Sequence, residues 1–321
     1  MAEPTVVVAR AGLSPLRGTI LDYGVYLALA LVLTFNVVFT ANFVSIDNLR
    51  LLLIQVAPVV IVSLGMALVI GTEGIDLSVG AVMAVAAAVL PLYLGYGTWT
   101  AVAVALVACA AIGLVNGAMV GFLGIQPIVA TLGLLVAGRG LALVIAGGRL
   151  TELFDPGLQR LGRGQLVGMP ITALVALTLT AAVAMTVRYT AFGRHLVAIG
   201  GNRRAAVLAG LPVTRTLLIV YVVGAVLAGL AGVLESARVG ASNPSFVGLL
   251  IELSAITAVV VGGTPLTGGR VRILGTVAGA LLMQLIVVTL IRHDLSDSYA
   301  RMVQAAIIVA AVYVQRDRGA A

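Results

Sequence analysis

The chain of 321 residues contains no lysine, one cysteine and two histidines, and these shortages exclude several kinds of chemistry. A Walker phosphate loop and Schiff-base catalysis both need a lysine, so any ATP must be hydrolysed by another protein. Two histidines and Cys109 cannot form a zinc-type cluster, and Cys109 has no partner for a disulfide within the chain. The sequence therefore predicts a protein that is not an enzyme and binds no metal or cofactor of its own.

Charge is also scarce. Only 10% of the residues are charged, 61% are hydrophobic, and the mean hydropathy is +1.17. Soluble domains have about 45–50% apolar residues. At about 20 residues per crossing, this composition predicts an all-α, polytopic transmembrane bundle of about ten helices, with residues 1–321 as one transmembrane domain. The net charge of +7 is carried by arginines that indicate loop orientation, so nucleic acid is not expected as a partner.

Ten apolar runs of roughly bilayer length follow one another. They cover residues 21–41, 49–70, 77–92, 100–121, 127–146, 170–187, 215–236, 249–262, 273–291 and 298–314. Arg10 and Arg17 precede the first run and no small-residue cleavage site follows it, so we expect a retained helix after a cytoplasmic segment 1–20. With both termini cytoplasmic, eleven arginines lie inside and seven outside, in agreement with the positive-inside rule.

Two connections are longer than the others. The predicted outer one, 147–170, combines charges, glycines and a proline, which favours an exposed turn or a short surface helix that could receive an external partner. The predicted inner one, 188–215, is glycine-rich and basic. Asn202 is a plausible N-cap for a short helix over 202–209, lying along the inner face of the membrane.

Polar residues also interrupt the apolar runs. Segment 71–80 carries Glu73 and Asp76 among glycines, and segment 262–272 is similarly glycine-rich. Such interruptions at comparable places in the two halves of a transporter indicate broken helices around a central pathway, although ordinary glycine turns give the same pattern.

Arg139 lies near the middle of an apolar run, where an unpaired charge costs at least about 2.5–3.5 kcal/mol. It therefore needs a partner. Contacts with backbone carbonyls or a structural ion pair are favoured over a gate contact with Glu73, Asp76 or Glu252. In the same run, Pro127 and Thr131 either break the start of the helix or simply occupy its first turns.

Several motifs occur in a consistent order from about residue 45 to 315. They are Ile75-Asp-Leu-Ser-Val-Gly80, Gln126-Pro-Ile-Val-Ala-Thr-Leu-Gly133, Gly138-Arg-Gly140, Gly200-Gly-Asn202 with Ala205-Ala206, and Gly262-Gly-Thr264 with Gly268-Gly269. Together they resemble the membrane subunit of bacterial ribose-type ABC sugar importers. Ala57-Pro58, Gly65-Met66 and Val136-Ala-Gly-Arg-Gly140 are most similar to the galactofuranose-type branch.

The resemblance implies a multi-pass protein of the bacterial cytoplasmic membrane that works by alternating access. The partners that it implies are a second copy or a related permease chain, an extracytoplasmic sugar-binding protein, and a cytoplasmic ATPase that binds ATP and Mg²⁺. It also implies that the segment 188–215 couples to the ATPase, with the expected contacts at Gly200, Gly201, Asn202, Arg203, Arg204 and Ala205.

Pathway or gate candidates follow from polar residues within the apolar runs. They are Glu73, Asp76, Asn116, Gln126, Thr131, Arg139, Glu252 and Ser254, with Gln284 as a further uncharged residue. Glu73 and Ser254 depart from the family pattern, which usually has glycine and an acidic residue at those positions.

Two alternatives stay open. One is an importer of the same architecture for another small solute, such as an autoinducer, a nucleoside or a branched amino acid. The other is an ion-coupled secondary transporter or channel in which Glu73, Asp76 and Arg139 form a relay.

Overall fold

A computed structural model describes residues 15–316, and the chain over this range is almost entirely helical. Residues 1–14 of the predicted segment 1–20 lie outside the described residues, as do 317–321. The helices are α1 Pro15–Phe39, α2 Ile46–Gly71, α3 Val79–Tyr93, α4 Thr98–Gly121, α5 Pro127–Ile145, α6 Pro156–Arg163, α7 Ile171–Tyr189, α8 Ala191–Gly201, α9 Arg203–Leu208, α10 Val213–Val239, α11 Ile251–Val261, α12 Ile273–Arg292 and α13 Asp297–Arg316. A 3₁₀ turn, Leu94–Tyr96, extends α3.

Each of the ten predicted apolar runs contains a helix. Within residues 15–316, seven helices are long and apolar enough to cross a membrane: α2, α3 with its 3₁₀ extension, α4, α5, α7, α10 and α12. The run 249–262 was expected to form a membrane-spanning helix, but its helix α11 has only 11 residues. At 1.5 Å per residue this is about 16 Å, roughly half of the hydrocarbon thickness.

Helix α2 lies at the centre of the bundle, buried from Val56 to Gly71 except for the half-buried Val59, and packed against α7, α8, α10, α11 and α12. Helix α10 crosses α2 and α3 where glycines let the backbones meet. A Cβ on Gly65 would lie 3.0 Å from the Cα of Gly224, and one on Gly232 would lie 2.5 Å from the carbonyl oxygen of Met83. Lipid offers no hydrophobic force between helices, so such close van der Waals packing holds the bundle together.

The connection 147–170 contains the anticipated short surface helix, α6. Asp155 caps it by accepting from the Leu158 amide at 2.7 Å and from the Thr98 hydroxyl at 2.6 Å. Arg163 donates to the carbonyls of Arg238 and Val239, at the end of α10. The two-residue strand β1 (Thr151–Glu152) pairs antiparallel with β4 (Ala241–Ser242), and β2 (Gln165–Leu166) pairs with β3 (Met169–Pro170). The connection is thereby fixed to α10.

Two irregular segments enter the bundle. Residues 72–78 separate α2 from α3, as the sequence indicated. Residues 240–250 run back along α3, because the Ser242 hydroxyl donates to the carbonyl of Ala87 and Gly248 packs against Gly80. From Ala87 to Gly80 α3 descends about 10 Å, so α11 starts well inside the bundle. The segment 262–272, for which a broken helix and an ordinary glycine turn were both open, is a glycine turn between α11 and α12.

Candidate coupling surface and membrane pathway

The segment 190–212 forms two short helices joined at one residue. The Asn202 side chain accepts from the Ala205 amide at 2.9 Å, which confirms the expected N-cap of α9. The same residue ends α8, a helix that the sequence had not indicated. Residues 201–205 are all exposed, whereas Gly200 and Ala206 are buried. The two helices therefore present a raised surface while their bases remain packed.

Glycines fix the base of this surface to the bundle. A Cβ on Gly200 would lie only 1.9 Å from the carbonyl oxygen of Gly71 and 2.5 Å from the amide nitrogen of Gly269. The Gly269 amide in turn donates to the Gly71 carbonyl at 3.1 Å. The ends of α2 and α8 and the turn 262–272 thus meet backbone to backbone.

Glu73, one of the pathway or gate candidates, lies beside the raised surface and apart from the buried Asp76. It is exposed, and it adopts a left-handed conformation with φ of 65° immediately after α2. This turn places it on the surface, while the chain continues inward to Asp76. A cleft of about 790 Å³, called the coupling cleft below, is lined by Glu73, Gly201, Asn202, Arg203, Arg204, Val207 and Leu208.

Asp76, Asn116 and Thr131 come together at the break before α3. Asp76 is buried and accepts from the Ser78 amide at 2.8 Å and from the Ser78 hydroxyl at 2.6 Å. Asn116 donates to the Ser78 hydroxyl at 2.8 Å. The Thr131 hydroxyl accepts from the Leu77 amide at 3.1 Å. These contacts satisfy the irregular backbone inside the bundle, and they make Ser78, which sequence reasoning missed, the centre of the network.

Helix α5 begins at Pro127, so the proline occupies its first turn and leaves the helix unbroken. Gln126 stands at the N-cap position, is exposed, and has no capping bond from its side chain. The structure therefore separates Gln126 from the buried network around Asp76.

Arg139 contacts backbone carbonyls, as favoured from the sequence. Its guanidinium donates to the oxygens of Pro244, Val247 and Gly248 at 2.9, 2.7 and 3.2 Å. It also interacts electrostatically with Glu252. The re-entrant segment 240–250 is not helical, so its carbonyls lack a regular helical ladder, although that of Gly248 also accepts from the Ile251 amide at 3.4 Å. The arginine therefore holds the segment in place.

Glu252 is buried at the start of α11, and its Oε2 has no hydrogen-bond partner among the described residues. A Cβ on Gly80 would lie 2.6 Å from this oxygen and 3.4 Å from Nη2 of Arg139. The starts of α3 and α11 therefore meet around Gly80. Helix N-termini favour negative charge, which offsets part of the cost of burying the carboxylate.

Ser254 lies on a cavity of about 240 Å³ between α2, α11, α12 and α13. Its lining is Val59, Leu249, Leu250, Ile251, Leu253, Ser254, Thr257, Gln284, Val287, Ala300, Gln304 and Ala305. The polar members are two hydroxyls and two carboxamides, and none of the residues is charged. Gln284 was anticipated. Gln304 was missed, although a glutamine within an apolar run was a usable signal.

The charged candidates do not assemble into a relay within residues 15–316. Glu73 lies in the coupling cleft, Asp76 binds Ser78, and Arg139 binds the re-entrant segment. The same residues contain no group of three or more His, Cys, Asp or Glu side chains able to hold a metal ion.

A polytopic helical bundle with broken helices, a neutral polar cavity and a rigidly mounted surface segment is characteristic of a membrane permease. The family model described as the permease component of branched-chain amino acid transport systems matches residues 48–312. The chain belongs to this permease family, and it is a multi-pass protein of the bacterial cytoplasmic membrane.

Curated relatives cover most of the chain. The galactofuranose transporter permease protein of Escherichia coli is 37% identical over 82% of this chain and 78% of its own length. The ribose import permease protein of the same organism is 37% identical over 86% and 88%. The D-allose transport system permease protein is 30% identical over 92% and 91%. No solved structure matches the chain.

Proposed function

We propose that this chain is the membrane subunit of an ATP-driven, binding-protein-dependent importer of a neutral sugar, a pentose, furanose or related small polyol. The observation that carries the proposal is the joint arrangement of an exposed α8–α9 surface on a closely packed glycine base and an uncharged polar cavity within the bundle. An importer of this kind needs only weak binding in its membrane pathway, because the external binding protein supplies affinity and the nucleotide cycle supplies direction.

The neutral cavity favours a sugar over a branched amino acid, although the family description names the latter. A zwitterionic amino acid leaves two charges to be paired inside the membrane, and the cavity lining offers none. Hydroxyl groups of a sugar can exchange hydrogen bonds with Ser254, Gln284 and Gln304. The names of the relatives point in the same direction.

The ATPase partner is assigned to the coupling cleft. Exposed Arg203 and Arg204 can form charge-assisted hydrogen bonds with acidic groups on that partner, and Glu73 adds one negative charge to the lining of the same cleft. ATP and Mg²⁺ bind to the partner. Movement of α8 reaches α2 through Gly200 and Gly71, which links nucleotide state to the two arrangements of the pathway.

We propose positions for the remaining partners from the end of the bundle at which each connection lies. Helix α7 separates the connection 147–170 from α8, so the two lie at opposite ends of a 19-residue span. With α8–α9 in the cytoplasm, the connection 147–170 faces the extracytoplasmic sugar-binding protein. A second copy or a related permease chain completes the pathway in the lipid.

Substitutions in the coupling cleft test the proposal, because they should uncouple ATP hydrolysis from transport. Gly201→Trp fills the coupling cleft from a position where a Cβ meets no atom within 4 Å, so it should leave the fold intact, whereas Asn202→Trp fills the cleft but also removes the N-cap of α9. Sugar-dependent stimulation of ATP hydrolysis and uptake of radiolabelled monosaccharides are measured in proteoliposomes with the ATPase and the binding protein. We expect both to fall at least tenfold, whereas Tyr96→Trp, exposed at the other end of the bundle, retains them. Unchanged uptake in the Gly201 and Asn202 variants would remove the coupling assignment.

A further inference from the structure

The C-terminal end of α4 is completed by side chains from α9 and α10. A helix leaves its last four carbonyls without partners of its own. In α4 the first two of these accept from amides of the chain that directly follows the helix. The last two, of Val120 and Gly121, accept from Nη2 of Arg203 at 3.3 Å and from the Thr214 hydroxyl at 3.2 Å. Arg203 therefore caps α4 from α9.

Arg203 and Arg204 differ, although they are adjacent on α9 and both are exposed. Within residues 15–316, the side chain of Arg204 makes no hydrogen bond or ion pair. The position of Arg203 suits its charge, because the macrodipole of α4 places partial negative charge at the C-terminal end of that helix. Helix α9 has only six residues, of which Ala206 alone is buried, so it needs contacts with other elements to be stable. The bond to Val120 fastens this short helix to a membrane-spanning one.

From Val120, α4 leads to the break before α3. Asn116 lies one turn earlier on α4, about 6 Å along the helix, and its side chain donates to the Ser78 hydroxyl at 2.8 Å. Asn116 is buried, and α4 packs closely on α10 here, because a Cβ on Gly117 would lie 2.9 Å from the Cα of Leu218. The capped end of α4 is therefore also the part of the helix that binds the Ser78 network.

A second link between α9 and this break runs through α10. Tyr221 is fully buried on α10 and interacts electrostatically with both Arg203 and Asp76. A Cβ on Gly74 would lie 2.9 Å from the Tyr221 hydroxyl oxygen, so the side chain reaches the break before α3. Tyr221 is therefore within electrostatic reach of the α9 arginine and of the carboxylate at the break.

We infer that Arg203 is the positioning residue of the α8–α9 surface. It fixes α9 to the end of α4, so that a movement of α9 shifts α4 and the break before α3, while Arg204 supplies affinity for the ATPase. This inference rests on the proposed function. Without Arg203, α9 still meets the ATPase but moves independently of α4. Without Arg204, the ATPase binds more weakly, but each bound ATPase still moves the same segments.

The test compares Arg203→Ala with Arg204→Ala in proteoliposomes that contain the full chain, its ATPase and the binding protein. Two quantities are measured, the ATPase concentration that gives half-maximal hydrolysis and the number of solute molecules taken up per ATP. The probe is the member of a panel of radiolabelled pentoses and hexoses that the parent takes up fastest.

We expect Arg203→Ala to lower uptake per ATP about fivefold, as the loss of one hydrogen bond does, while the half-maximal ATPase concentration stays within about twofold of the parent. Arg204→Ala should raise that concentration about threefold to tenfold and leave uptake per ATP unchanged, because only a charge-assisted contact with the partner is lost.

Arg203→Lys is the conservative variant. It keeps a positively charged donor at the end of α4 and should recover about half or more of the parent's uptake per ATP. Arg203→Met replaces the alanine variant if the latter fails to fold. Equal losses of ATPase affinity in the two alanine variants, or unchanged uptake per ATP in Arg203→Ala, would overturn the inference and leave the importer assignment standing. Absence of ATP-dependent uptake in the parent would instead remove the proposed function, and this inference with it.

Discussion

Two adjacent glycines, Gly200 and Gly201, have opposite surroundings, and this gives a matched pair of substitutions. A Cβ at Gly200 collides with the backbone of α2 and of the turn 262–272, whereas a Cβ at Gly201 enters open space. Gly200→Ala should destabilise the protein by about 1–3 kcal/mol or more, as overpacking does. Gly201→Ala should be neutral or slightly stabilising, because it lowers the entropy of the unfolded chain.

Thermal unfolding in mild detergent, followed by the loss of monodisperse protein, distinguishes the two variants. We expect a clearly lower midpoint for Gly200→Ala alone. Similar midpoints for both variants would contradict the backbone contact between Gly200 and Gly71.

Arg139 supports a second prediction at the residue level. Arg139→Met removes three hydrogen bonds to the re-entrant segment and leaves Glu252 without its nearby positive charge. The expected cost is about 2–5 kcal/mol. Adding Glu252→Gln should recover part of this loss, because the buried charge is then gone.

The measurement is the midpoint of unfolding in a titration with sodium dodecyl sulfate, for the parent, the two single variants and the double variant. Strict additivity of Arg139→Met and Glu252→Gln would show that the two side chains do not interact.

The sequence predicted the surroundings of a residue best where burying its side chain without a partner would cost much free energy. The cost of a charge in the membrane was enough to predict that Arg139 needs a partner, and backbone carbonyls were one of the structural partners favoured. Glu73 lies on the surface because it adopts a left-handed conformation directly after α2. Glycine is the usual residue for that conformation, so the glycine that the family pattern has at this position was the available signal.

Among the elements, the cap between α8 and α9 gives a further prediction. Asn202→Ala removes the bond to the Ala205 amide and should cost α9 about 1 kcal/mol, which accelerates hydrogen exchange of its amides about fivefold. Asn202→Ser keeps a capping oxygen and should exchange like the parent. Equal exchange in Asn202→Ala and the parent would show that packing of Ala206, and not the cap, holds the helix.

The long helices were predictable because length and continuous apolarity are properties of the sequence itself. The re-entrant segment 240–250 was not, since its path depends on contacts with α3 through Ser242 and Gly248 and on Arg139 from α5. Helix α8 was not predicted from the sequence, for a related reason. Its glycines at 193, 200 and 201 indicated a loop, and at Gly200 the need for close packing outweighs helix propensity.

For the whole molecule, the orientation in the membrane is a prediction that two cysteines can test. In a Cys109→Ala background, Arg204→Cys lies on the α8–α9 surface and Phe154→Cys on the connection 147–170, both exposed. An impermeant maleimide should modify Phe154→Cys in intact spheroplasts and Arg204→Cys only after lysis. The reverse pattern would place both termini outside the cytoplasm.

We propose that this chain has no energy source of its own and depends on an ATPase docked at the coupling cleft. Affinity purification of the chain from its host's membranes in mild detergent, with bound proteins identified and quantified by mass spectrometry, tests this dependence. We expect a stoichiometric ATPase with the parent chain, and its loss with Gly201→Trp. Recovery of the folded chain alone, in repeated preparations that keep other membrane complexes intact, would contradict it.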